Sequence, residues 1–96
     1  MKVKELLTDE SKWIKEWFAM SERGRYVPPN SRLACKWCLR GAIRRCYEVV
    51  DNLYTDNVVD VEQKVVNVIG MSIPKWNDAP ERTFADVKKL VEELDI

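Results

Sequence analysis

Two adjacent prolines, Pro28 and Pro29, limit what the first third of this chain can form. A proline disfavours the helical conformation in the residue before it and has no N–H to donate inside a helix. Gly24 lies a few residues upstream, and glycine is a frequent helix terminator. Residues 25–30 are therefore predicted to form a loop between two helical segments.

Before this loop, the spacing of the apolar residues favours a helix from Val3 to Phe18, because they recur every three or four positions. Thr8 and Asp9 are good N-cap types, so the segment could instead split into a short helix over residues 2–7 and a second piece from about residue 10. The aromatic residues between positions 13 and 17 would also suit a strand. We favour helix.

After the loop, Ser31 is a natural N-cap for a helix that we expect to run to about Val50 or Leu53. At about 100° per residue, apolar side chains fill one face of this helix. Gly41 lies at the edge of that face, where another backbone could approach closely. The opposite face carries what we call the basic ridge: Arg32, Lys36, Arg40 and Arg44.

Turn residues 54–57 precede a helical pattern of valines that ends at Gly70. Residues 71–74 are predicted to be extended, and residues 76–80 to form a loop. Thr83-Phe84-Ala85-Asp86 reads as a capping box that opens the last helix. The predicted fold class is thus mainly α: a small single-core bundle of about four helices, with room for a short extended segment or hairpin.

The length of 96 residues is that of a single domain, which we place at residues 1–96. A chain of this size has one modest core, which excludes a two-domain enzyme or a core with a large substrate cavity. The sequence has no apolar run of about 18 residues and no secretory signal pattern. We therefore expect a cytoplasmic protein without membrane association, and the three cysteines, an odd number, suit a reducing compartment.

Cys35 and Cys38 form a C-x-x-C pattern, with Cys46 further along, which raises zinc or redox chemistry. On the predicted helix all three sulfurs face the apolar side, and the chain contains no histidine to complete a metal site. Core packing is the expected role of these cysteines. No metal and no cofactor are predicted.

Catalytic residues are not predicted either, because the chain lacks histidine, a phosphate-binding glycine loop and a nucleophile motif. The segment Trp76-Asn77-Asp78 with Arg82 has two interpretations. It is a structural turn in which Arg82 pairs with Asp78, or it is part of a ligand-binding loop. A small enzyme that uses this loop is the least favoured function.

Charge is unevenly distributed, although the net charge is zero: residues 1–48 carry +5 and residues 49–96 carry −5. The acidic half could neutralise the basic half within one fold or across a homodimer. Alternatively, the basic ridge binds a partner, and an acidic protein surface is favoured over a nucleic acid or nucleotide because the pI is only about 6.3. The candidate residues for partner or anion binding are Arg32, Lys36, Trp37, Arg40, Arg44 and Arg45.

Two segments, Ala34–Ile43 and Ile73–Thr83, resemble an uncharacterised family of small bacterial and phage proteins with W-C-x-x-G-A-[IL] and W-N-D-x-x-x-R-T motifs. The residues that fit these patterns are Trp37, Cys38, Gly41, Ala42, Trp76, Asn77, Asp78, Arg82 and Thr83. The resemblance implies a phage or bacterial setting. There, small proteins often act by binding host machinery, with an inhibitory or regulatory effect.

Overall fold

The computed structural model describes residues 1–47 and 56–96. This part of the chain forms five α-helices, one 3₁₀ turn at Glu10–Lys12 and one two-stranded antiparallel sheet. In chain order the elements are α1 (Val3–Leu6), β1 (Ala19–Ser21), β2 (Ala34–Trp37), α2 (Leu39–Tyr47), α3 (Asp56–Ile69), α4 (Ile73–Asp78) and α5 (Phe84–Leu94). The prediction of a mainly α bundle of about four helices is wrong, since the fold is mixed α/β.

The first predicted helix breaks where the cap residues stand. After α1, the Asp9 carboxylate accepts a hydrogen bond from the backbone N–H of Ser11 at 2.9 Å and caps the 3₁₀ turn. No helix continues beyond this turn, so a helix to Phe18 is wrong. Trp13 instead forms a bridge with Trp37, and the N–H of Ile14 donates to the Trp37 carbonyl at 3.1 Å.

The second predicted helix begins later than expected, because residues 34–37 form β2. Ala19 pairs with Trp37, and Met20 pairs with Lys36. These strand partners are far apart in sequence, so a helical pattern read along the chain does not reveal them. The predicted end of this helix, at about Val50 or Leu53, lies outside the described residues.

The predicted close approach at Gly41 is confirmed. A Cβ atom at this position of α2 would lie 1.9 Å from the carbonyl oxygen of Phe18. The absence of a side chain therefore lets α2 contact the backbone that leads into β1.

In the C-terminal half, α3 and α5 confirm two predicted helices, and Gly70 follows α3 with a φ of +70°. The capping box is also confirmed: the Thr83 side chain accepts from the Asp86 N–H, and the Asp86 carboxylate accepts from the Thr83 N–H. The predictions of an extended segment over residues 71–74 and a loop over residues 76–80 are wrong, because α4 occupies Ile73–Asp78. Ser72 caps this short helix, and Pro74 lies in its first turn, where a missing N–H costs nothing.

The core brings together side chains from all five helices and from both strands. Its most deeply buried large residues are Val3, Leu7, Leu39, Ile43, Val58, Val65, Val87, Val91 and Ile96. No helix in the described ranges is long and apolar enough to span a membrane.

Candidate binding surface

The basic ridge does not exist as one helical face. Arg32 precedes β2 and Lys36 lies within it, whereas only Arg40 and Arg44 belong to α2. Helical angles therefore do not apply to the first two positions. The four charges separate into groups with different surroundings.

Arg40 and Arg44 are engaged with neighbouring elements. Their Nε atoms lie 3.4 and 3.9 Å from a carboxylate oxygen of Glu62 on α3. Their guanidinium carbons lie 5.7 and 4.6 Å from the centre of the Phe18 ring, within the range of a cation–π contact. These two arginines therefore join α2 to α3 and to the chain before β1.

Trp37 and Arg45 hold the proline loop against the sheet. The buried Trp37 indole donates to the Pro29 carbonyl at 3.0 Å. Arg45 Nη1 donates to the carbonyls of Pro29 and Ser31 at 3.2 and 2.9 Å, and its guanidinium lies over the Trp37 ring. The partners of Arg45 are thus backbone carbonyls of the loop.

Arg32, by contrast, lines an open cleft together with two arginines of the preceding turn, Arg23 and Arg25. We call this feature the arginine cleft. It encloses about 620 Å³, and Ser21, Glu22, Leu33, Ala34 and Cys35 complete its lining. Within residues 1–47 and 56–96, none of the three guanidinium groups makes an ion pair.

The turn that carries Arg23 and Arg25 is short and well defined. The Gly24 N–H donates to the Ser21 carbonyl at 2.9 Å, and Gly24 has a φ of +78°, a conformation that glycine adopts easily. Ser21 N–H then donates to the Arg25 carbonyl at 2.8 Å, which aligns residues 25–27 beside β1. The sequence analysis did not identify Arg23 and Arg25 as site residues. The available signal was their position on either side of a turn glycine.

Two aromatic residues that were also missed lie beside this turn. The rings of Trp17 and Tyr26 stack at 3.7 Å with an angle of 21° between their planes. They are 43% and 56% exposed, which is high for large aromatic side chains. Tyr26 directly follows Arg25 in sequence, whereas Trp17 lines a different cavity from the arginine cleft.

The second set of candidate residues contains a fully buried asparagine, Asn77. The set consists of Trp76, Asn77, Asp78 and Arg82. The Asn77 carbonyl oxygen accepts from the Trp13 indole at 2.7 Å and from the Leu39 N–H at 3.0 Å. Its amide nitrogen donates to the Ile14 carbonyl at 3.1 Å and to the Asp78 carboxylate at 2.9 Å. All four hydrogen-bonding positions of the amide are thus filled, and Asn77 joins the segment before β1 to α2 and α4.

Asp78 and Arg82 continue this framework. The Asp78 carboxylate accepts from the N–H of Glu16 at 2.8 Å and so holds Glu16 at a φ of +76°. Arg82 donates to the Trp76 carbonyl at 2.9 Å, and its guanidinium lies 3.9 Å from the Trp76 ring centre. Its nearest carboxylate is that of Asp86, at 3.8 Å, rather than that of Asp78.

A second, smaller cavity of about 150 Å³ lies next to this framework. Of the second set of candidate residues, Asp78 lines this cavity. The other lining residues are Glu16, Trp17, Phe18, Cys38, Arg40 and Pro74.

The thiols of Cys38 and Cys46 are unlike those of reactive sites. Cys38 is buried, its sulfur accepts from the Gly41 N–H at 3.3 Å, and burial raises the pKa of its thiol. Burial also raises the pKa of Cys46 to about 11. Both groups are therefore protonated at neutral pH and poor nucleophiles. The described residues contain no cluster of three or more ligands suited to a metal ion.

The chain matches the model of a family of unknown function, DUF6197, over residues 1–94. No curated protein and no solved structure matches significantly. The family model covers nearly the whole chain, and it supports the earlier resemblance to an uncharacterised family. The protein belongs to the family of unknown function DUF6197.

Proposed function

We propose that this chain is a small, non-enzymatic binding protein that docks on an acidic surface of a partner protein. The proposed contact is the arginine cleft together with Trp17 and Tyr26, which we call the hairpin surface. The observation that carries the proposal is that Arg23, Arg25 and Arg32 line one cleft without an ion pair among the described residues. Guanidinium groups recognise carboxylates through charge-assisted, often bidentate hydrogen bonds.

The neighbouring aromatic pair supports a protein partner. Trp, Tyr and Arg are the residues that most often dominate the binding energy of protein interfaces. Leu33, which lines the cleft, is 65% exposed and adds apolar area that a partner would cover. The cleft thus offers charge together with the apolar area of Leu33, and Tyr26 of the aromatic pair follows Arg25 in sequence.

The other polar candidates have structural roles in the fold. Asn77, Asp78 and Arg82 hold elements of the fold together through bonds that occupy their side chains. The proposal places the protein in the bacterial or host-cell cytoplasm, in line with the phage and bacterial resemblance of its two motif segments. By binding its partner, the protein would inhibit or regulate that partner.

A charge reversal tests the proposed function. The double variant Arg23→Glu/Arg32→Glu should fold normally, because these side chains make no ion pair in the described part of the chain. Wild-type protein and the variant would be immobilised and used to capture proteins from a bacterial lysate. We expect one acidic protein to be retained by wild type and lost, at least ten-fold, with the double variant.

Lys88→Glu is the matched control, since Lys88 is exposed on α5 and away from the cleft. This variant should retain the same protein, and the purified pair should bind directly in calorimetry. Equal retention by the double variant would contradict the proposal.

Nucleic acid is the second candidate, because an aromatic pair beside arginines can also stack bases. The net charge of zero argues against it. A single-stranded oligonucleotide probe separates the two functions, since its affinity for a true nucleic-acid site falls steeply with salt. Tight binding of the oligonucleotide that is lost in Arg23→Glu/Arg32→Glu would replace the protein partner by nucleic acid.

A further inference from the structure

The charge and the size of the arginine cleft indicate a more specific ligand than the acidic protein surface proposed above. Three arginines and Glu22 line it, which leaves a net charge of +2. One carboxylate would neutralise half of this charge. A phosphate monoester carries about −1.5 to −2 at neutral pH and offers three strong acceptor oxygens.

The cleft also contains a neutral donor. The Ser21 hydroxyl oxygen accepts from the Arg25 N–H at 3.2 Å. Among the described residues its own proton makes no hydrogen bond, so it is available to an oxygen placed in the cleft. Ser21 and the three guanidinium groups thus provide donors around one space.

The volume of the cleft, about 620 Å³, exceeds that of a phosphate ion. It lies within the range of about 300–1,000 Å³ that is usual for ligand pockets. Leu33 and Ala34 supply apolar contacts in the same cleft. A phosphate group attached to a side chain and its flanking residues would use both the charge and the apolar lining.

We propose that the arginine cleft binds a phosphorylated side chain of the partner protein. This inference rests on the proposed function and narrows its partner to a phosphoprotein. Clusters of arginine are a recurrent means of recognising phosphorylated motifs. Phosphorylation of the partner would then determine whether the complex forms.

The test uses the full chain and three defined probes, titrated by two-dimensional NMR with ¹⁵N-labelled protein. The probes are a short peptide with one phosphoserine, the same peptide with glutamate in its place, and inorganic phosphate. We expect the phosphopeptide to shift the amides of Ser21, Gly24 and Ala34 and to bind at least ten-fold more tightly than either other probe. Arg25→Gln and Arg32→Gln should each weaken this binding at least five-fold, whereas Lys88→Gln should leave it unchanged.

The alternative outcomes separate this inference from the proposed function. Equal affinity for the glutamate peptide would overturn the phosphate assignment and leave an acidic protein partner in place. Equal affinity for inorganic phosphate would overturn the assignment to a side chain. If no probe binds, the phosphate inference fails, and retention of an acidic protein in the capture experiment would still decide the proposed function independently.

Discussion

At the scale of single residues, the amide of Asn77 explains why a polar side chain lies in the core. It is fully buried, yet its two acceptor and two donor positions are all hydrogen-bonded. The bonds reach Trp13, Ile14 and Leu39, none of which is close to it in sequence. A buried polar group with complete partners restricts the core to one arrangement.

Asn77→Ala should therefore destabilise the protein strongly. The substitution leaves the Trp13 indole and the Leu39 N–H without their acceptor, and each unsatisfied buried group costs roughly 1–3 kcal/mol. We expect the free energy of unfolding in urea to fall by about 3 kcal/mol or more. Asn67→Ala, at an exposed position of α3, is the control and should change stability by less than about 0.5 kcal/mol. Similar losses for the two variants would refute this role of Asn77.

At the scale of secondary-structure elements, α2 is held in place by contacts with three other parts of the chain. Gly41 meets the Phe18 backbone, and the Asn77 carbonyl accepts from Leu39 N–H at the start of the helix. Arg40 and Arg44 extend to Glu62 of α3. The helix thus connects the hairpin side of the molecule to its C-terminal helices.

Gly41→Ala tests the approach of α2 to the chain before β1. In an ordinary helix this substitution stabilises by about 1 kcal/mol, because alanine is the better helix former. Here the added Cβ would lie 1.9 Å from the Phe18 oxygen, so the backbone must move. We expect a loss of about 3 kcal/mol in chemical denaturation, as for severe overpacking. A stabilised Gly41→Ala protein would show that the two backbones do not approach so closely.

At the scale of the whole molecule, ion pairs join the first and last helices. Lys2 and Lys4 both contact the Asp95 carboxylate, and the Lys4 N–H donates to the Ile96 carbonyl at 3.2 Å. Hydrogen bonds from Lys2 and then Lys4, with their positive charges, lower the pKa of Asp95 from 3.8 to about 2. The side chains of Lys2, Lys4 and Asp95 are 42%, 36% and 60% exposed, so solvent screens the pairs and their contribution to stability is small.

This lowered pKa has a defined sign. A carboxyl group whose pKa is lower in the folded state stabilises the fold above its unfolded pKa, and the contribution disappears as the pH falls through the folded pKa. Asp95→Asn should therefore have a lower melting temperature than wild type above pH 5, with a difference that shrinks between pH 4 and pH 2. Asparagine tolerates the left-handed conformation of residue 95, at a φ of +53°, so the comparison isolates the charge. A difference independent of pH would contradict this account.

The sequence alone determined features that depend on neighbours along the chain. The capping box at Thr83 and the helix that ends before Gly70 follow from local chemistry, and the structure contains both. The structure also shows what approaches Gly41: the Phe18 backbone, which is distant in sequence. Only the tertiary structure decided that residues 34–37 form a strand, because their partner is β1, which the chain reaches through a long loop. Because of that pairing, the four residues of the basic ridge do not share one helical face. Arg32 instead lines a cleft with Arg23 and Arg25. Charge could be counted from the sequence, but which charges are bound internally and which share a cleft depends on contacts between distant residues.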